Sequence, residues 1–135
     1  MSENEHVIMP RDHQIEAQDG LCDVLGREDR AQAHMCCGSG KTYAQAFLAR
    51  ELIDRCEEPD KAIIACFVPN RTLVQQNARN FRAVFGDSVE LLGVCSEADL
   101  TGLIGPDEMA AVETTTNPER IDRFLRRKSS PRIVV

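Results

Sequence analysis

The chain has 135 residues, enough for one domain with a real core. Apolar residues make up 42% and the net charge is −6, a balance that argues against generalised attraction to nucleic acid. No apolar run approaches the roughly eighteen residues a transmembrane helix needs, and the acidic, polar start Met1–His6 is unlike a secretory signal and reads as a frayed end.

Asp12–Leu25 has helical spacing, with Leu21, Cys22 and Leu25 on one side and Asp12 able to cap it. After the polar turn Gly26–Arg30, the alternating stretch Ala31–Cys36 predicts a short strand. Thr42–Cys56 predicts a helix, since Leu48, Leu52 and Cys56 recur every fourth residue, and Pro59 stops it. Lys61–Val68 is almost wholly apolar, which predicts a strand buried on both faces of a parallel sheet and ended by Pro69. Thr72–Phe85 carries Val74, Ala78, Phe81 and Phe85 on one helical stripe and breaks at Gly86-Asp87. Val89–Val94 is strand-like, Ser96–Met109 reads as loop, and Ala110–Thr116 predicts a further strand. Thr116 or Asn117 caps a helix over Pro118–Arg127, with Ile121, Phe124 and Leu125 inward, and Arg132–Val135 begins another strand. Strands alternating with helices predict an α/β fold, a parallel sheet flanked by helices.

The chemistry centres on Cys37-Gly38-Ser39-Gly40-Lys41-Thr42, between a predicted strand and a predicted helix. Strand, glycine-rich turn, Gly-Lys-Thr and helix form the layout of a phosphate-binding loop. Gly38 and Gly40 let the backbone turn and approach a phosphate. The amides around Ser39 to Thr42 open a helix N-terminus, which favours anions. Lys41 is placed to reach the outer phosphates of a nucleoside triphosphate, and the Thr42 hydroxyl to ligate Mg²⁺. The outermost glycine of the general pattern is replaced by Met35. The competing possibility is an ordinary flexible Gly-Ser-Gly turn.

Six cysteines, at 22, 36, 37, 56, 66 and 95, show no Cys-x-x-Cys spacing, so they predict reduced thiols used as small apolar residues in a cytoplasmic protein. Charge is uneven: Asp87–Glu113 holds seven acids and no Lys or Arg, whereas Asn117–Val135 holds six bases against Glu119 and Asp122. Those bases form either a local basic surface or the solvated face of a helix.

Four stretches stand in order: Pro10-Arg11-Asp12-His13-Gln14-Ile15-Glu16-Ala17, then Met35 to Thr42, then Phe67-Val68-Pro69-Asn70-Arg71-Thr72-Leu73-Val74-Gln75-Gln76, then Pro131-Arg132-Ile133-Val134-Val135. Together they resemble the first half of the N-terminal motor domain of superfamily 2 DEAD/DEAH-box helicases, in the branch that includes type III restriction subunits. The resemblance covers nearly the whole chain from residue 10 onward and implies a partial RecA-like ATP-binding domain over 10–135, after a frayed 1–9. It implies ATP and Mg²⁺ as cofactors and nucleic acid, DNA ahead of RNA, as partner. It assigns Gln14 to the adenine edge, which an amide suits because it donates and accepts together. It assigns Cys37, Gly38, Ser39, Gly40, Lys41 and Thr42 to the triphosphate and its metal, and Arg71 and Thr72 to the nucleic-acid backbone. Arg11 also matches, with a lesser role in ordering the nucleotide pocket.

The family's metal-holding Asp-Glu motif, its coupling motif and its second motor domain have no counterpart here, and Asp107-Glu108 follows Gly105-Pro106 rather than an apolar strand. The expectation is therefore an ATP-binding motor segment, cut before that motif, without hydrolysis of its own and with no catalytic residue. Two alternatives belong to other classes. One is a stand-alone nucleotide-binding or interaction module completed by a separately encoded partner. The other is a small P-loop kinase, which leaves Gln14 and the Pro69–Thr72 motif unexplained.

Overall fold

The computed structural model describes residues 8–96 and 112–135. The expectations for the extreme N-terminus, for most of the Ser96–Met109 loop and for Asp107-Glu108 lie outside them. Helices α1 (Asp12–Leu25) and α2 (Lys41–Asp54) come first, followed by a 3-10 turn at Pro59–Lys61 and strand β1 (Ile63–Ala65). Then come α3 (Arg71–Phe85), β2 (Glu90–Val94), β3 (Glu113–Thr115), α4 (Pro118–Leu125) and β4 (Arg132–Val134). The four strands form one sheet in the order β1-β4-β2-β3, and every pairing is parallel. The predicted α/β architecture is the one observed.

Helices α2 and α3 cover one face of the sheet. Ala46 and Ala49 of α2 and Val74, Ala78 and Phe81 of α3 pack on Leu91, Ile133 and Val135. The apolar stripe foreseen on α3 is therefore the core stripe, since side chains three and four apart share a helix face. Gly93 permits the close approach of α3: a Cβ there would sit 3.0 Å from Thr114 Cγ2 and 3.3 Å from Val74 Cγ1.

Helix α4 lies on the other face, where Glu90, Leu92, Glu113 and Arg132 point, because alternate strand residues face opposite sides. Arg132 is only 2% exposed. Its Nη1 donates to the Leu125 carbonyl at 2.7 Å and its Nη2 reaches the carbonyl oxygens of Asp60 and Ala62 at 3.4 and 3.5 Å. This guanidinium closes the C-terminus of α4, where cations are favoured, and ties it to the entry of β1. Asn117, one of two candidate caps, opens α4: its Oδ1 accepts from the Glu119 amide at 2.9 Å.

Three expectations need correction. Ala31–Cys36 is not a strand: among the described residues nothing pairs with it, and a strand exists only where a neighbour satisfies its amides and carbonyls. Its side chains Ala31, Ala33 and Met35 instead line a groove with Leu21 and Leu25 of α1 and Leu48 of α2. Strand β1 is not buried on both faces. Among the described residues it stands at the sheet edge; Ile64, Cys66 and Val68 pack on the core, but Ile63 is 48% and Phe67 94% exposed. Asp12 is the first residue of α1 and not its cap. The Arg11 amide at that end is satisfied by Gln14 Oε1 at 2.9 Å.

The thiols divide by place. Cys22 and Cys95 are buried, whereas Cys36, Cys37 and Cys56 are exposed, so the role of small apolar residue holds for only part of the set. Burial pushes the Cys22 and Cys66 thiols above their ordinary pKa.

Candidate functional site

The chain turns from the extended stretch into α2 through two left-handed glycines, Gly38 at φ 75° and Gly40 at φ 83°. At Gly38 the requirement is conformational alone, since an added Cβ would meet nothing within 4 Å. At Gly40 it is also steric: a Cβ would lie 2.5 Å from Gln14 Nε2. Ser39 closes the turn, its amide and its hydroxyl both donating to the Cys36 carbonyl, at 3.2 and 2.6 Å. Lys41 and Thr42 are the first residues of α2, Lys41 exposed and Thr42 half-buried. The first amides of a helix have no acceptor within it. The turn thus delivers unpaired amides, an ammonium group and a hydroxyl to one helix N-terminus, a set suited to an anion.

Helix α1 holds this turn from outside. His13 Nε2 lies 2.7 Å from the Ser39 carbonyl oxygen, and Gln14 Nε2 donates to the Gly40 carbonyl at 3.0 Å. Gln14 is 5% exposed and so is not a surface residue of its helix. With Gly40 and Arg11 satisfied, its amide keeps one N–H and one acceptor lone pair. Beside it a cavity of about 330 Å³ is bounded by Met9, Arg11, Gln14, Gly40, Tyr43 and Phe47. The Tyr43 and Phe47 rings stack at 6.3 Å between centroids. The sequence places Tyr43 only within the predicted helix Thr42–Cys56. The available signal was an aromatic one residue past Lys-Thr, on the first turn of α2.

Arg71 and Thr72 are not part of this turn. They are the exposed first residues of α3, whose N-cap Asn70 accepts from the Leu73 amide at 3.0 Å. Because all strands run parallel, α3 after β1 and α4 after β3 start at the same rim of the sheet. The sequence foresees the second of these starts, capped at Thr116 or Asn117, but not that it shares a rim of the sheet with the start of α3.

The basic C-terminal stretch is largely neutralised. Arg120 pairs with Glu113, Arg126 with Asp122 at 2.7 Å and Arg127 with Glu90 at 3.1 Å, while Arg132 is buried. Of the two readings of this stretch, the pairings favour the solvated helix face, here of mixed charge, over a structural Arg132. Among the described residues no cluster of three or more His, Cys, Asp or Glu could hold a metal ion. No helix among them is long and apolar enough to cross a membrane.

Comparison with known proteins gives two matches. The family model described as "Type III restriction enzyme, res subunit" matches residues 7–121. A solved structure titled as a nuclease-deletion mutant of the Type ISP restriction-modification enzyme LlaGI in complex with a DNA substrate mimic is similar in fold, with a TM-score of 0.74 at 20% identity. The similarity covers 94% of this chain and 12% of that one, so this chain spans a small part of that protein's length. No curated protein matches in sequence.

Proposed function

Since the chain belongs to the type III restriction enzyme res-subunit family, we propose that it is the ATP-binding segment of a helicase-like motor that acts on nucleic acid. The observation that carries this is the glycine turn, pinned by Gln14 to the N-terminus of α2, with Lys41 and Thr42 on the first helical turn. The residues fit a nucleoside triphosphate with Mg²⁺. Gly38, Ser39 and Gly40 supply the backbone path that lets amides approach phosphate oxygens, Cys37 leads into it, Lys41 neutralises outer-phosphate charge, and the Thr42 hydroxyl is a hard oxygen ligand for the metal. The metal, when bound, neutralises phosphate charge. Adenine is assigned to the cavity beside Tyr43, with the remaining N–H and lone pair of Gln14 directed at its edge.

Nucleic acid is assigned to the sheet rim where α3 and α4 begin, with Arg71 and Thr72 on its phosphates. The neighbour's DNA substrate mimic favours DNA for this chain as well. Arg120, Arg126 and Arg127 are already paired, so this contact is weak and salt-sensitive.

Titration of the purified chain with a fluorescent ATP analogue tests the proposal. Lys41→Ala should weaken binding by about 1.5–3 kcal/mol, the range for a hydrogen bond to a charged group. Equal affinity of the two proteins would refute it.

A second possibility, a module completed by a separately encoded partner, draws support from β1, which among the described residues is paired on one side only, and from the exposed Ile63 and Phe67 beside that edge. An uncovered strand edge invites pairing.

A further inference from the structure

Resting on the nucleotide-binding role proposed above, we infer that His13 is a positioning residue for the phosphates: it fixes the direction of the Ser39–Gly40 peptide and so aims the Gly40 amide away from α1, into the cradle. A trans peptide is planar, and its C=O and N–H point in opposite directions. His13 Nε2 lies 2.7 Å from the Ser39 carbonyl oxygen. A carbonyl offers no proton, so the imidazole donates, and the bound oxygen is held toward α1. The amide on the same plane, that of Gly40, is thereby held on the opposite side. Gln14 does the same one peptide further on: the Gly40 carbonyl accepts from Gln14 at 3.0 Å and from the Ala44 amide at 2.9 Å, which leaves the Lys41 amide pointing out of the helix start. Adjacent residues of α1 thus orient adjacent peptides of the turn.

The turn needs such a hold. Gly38 and Gly40 both have positive φ, and glycine crosses between backbone wells more freely than any other residue. Rotation of the Ser39–Gly40 plane would replace an N–H donor by a carbonyl oxygen facing a polyanion, turning attraction into repulsion. The Ser39 hydroxyl and amide go to Cys36 and leave the Ser39 carbonyl to His13. His13 is exposed, so its replacement removes no core contact.

The experiment compares unaltered protein with His13→Leu, His13→Gln and Lys41→Ala, titrated with inorganic triphosphate, ATP and adenosine. Leucine keeps bulk without a donor. Glutamine places an N–H three bonds from Cβ, the reach of the imidazole Nε2. We expect His13→Leu to weaken triphosphate and ATP binding roughly three- to tenfold, the worth of one hydrogen bond. Adenosine binding should be unchanged, and His13→Gln should restore most of the loss. If Lys41→Ala weakens binding while His13→Leu does not, or if glutamine does no better than leucine, the inference is overturned and the nucleotide role stands. An equal loss for adenosine and ATP also overturns it, because a phosphate-cradle residue cannot act on the nucleoside alone. Failure of the unaltered protein to bind triphosphate overturns both.

Discussion

Gln14 Nε2 donates to the carbonyl oxygen of Gly40 at 3.0 Å, across 26 residues of chain, and Gly40 has no room for a Cβ beside it. The first turn of α1 and the first turn of α2 are therefore one unit, in which a buried amide and a left-handed glycine require each other. Gly40→Ala must adopt φ near 83° and displace Gln14. The backbone cost alone is about 1–2 kcal/mol. Denaturant unfolding should show a loss of at least that size, and fluorescent ATP-analogue binding should fall with it. An unchanged midpoint would mean that the glycine is replaceable.

Base preference should come from Gln14. Its remaining N–H and lone pair suit adenine and not guanine, whose exocyclic oxygen replaces the amino donor. ATP should bind more tightly than GTP. Gln14→Ala should weaken both, because the Gly40 anchor is lost, and should also narrow their ratio. Competition binding reads both effects; a ratio untouched by the substitution would remove the adenine role.

Thiol reactivity should follow burial. Cys36, Cys37 and Cys56 are exposed and should react rapidly with a small aromatic disulfide near pH 8. Cys22 and Cys95 are buried and should react only on unfolding. Burial raises the Cys66 thiol pKa and keeps it largely protonated, so it should lag as well. ATP with Mg²⁺ should slow the loop cysteines and leave Cys56 unaffected. Mass spectrometry of the labelled peptides would check the order; labelling of Cys37 indifferent to saturating ATP would argue against the site.

Phe67 is 94% exposed beside the open edge of β1. Phe67→Lys should lower self-association in sedimentation experiments, since a charge beside an edge strand opposes pairing. Thermal stability should stay within about 0.5 kcal/mol, as for other surface substitutions. A large stability loss would show that the ring is covered in solution.

The 135-residue chain should release no phosphate from ATP above background, with or without DNA. Hydrolysis needs an acid that holds the metal and orients water, and an arginine finger contributes about 10³ or more to the rate. The sequence has no apolar strand ending in Asp-Glu. A DNA-stimulated rate abolished by Lys41→Ala would overturn this expectation and point to Asp107-Glu108 or to a second copy of the chain.

The sequence by itself determined what local chemistry dictates. Glycines flanking a serine before Lys-Thr specified a left-handed turn into a helix, and an apolar stripe specified which face of α3 is buried, because both follow from neighbours along the chain. Only the tertiary structure decided what depends on distant partners. Ala31–Cys36 has strand-like alternation but forms no ladder, because hydrogen bonding across strands needs a neighbour that no local pattern supplies. The apolar run through Phe67 suited burial on two faces, yet among the described residues no helix covers the exposed Ile63 and Phe67. Arg132 read as part of a charged cluster and proved the largest fully buried side chain among the described residues, because three carbonyl oxygens converge on its guanidinium. His13 looked unremarkable until the fold brought α1 against the turn and gave its imidazole the Ser39 carbonyl to hold.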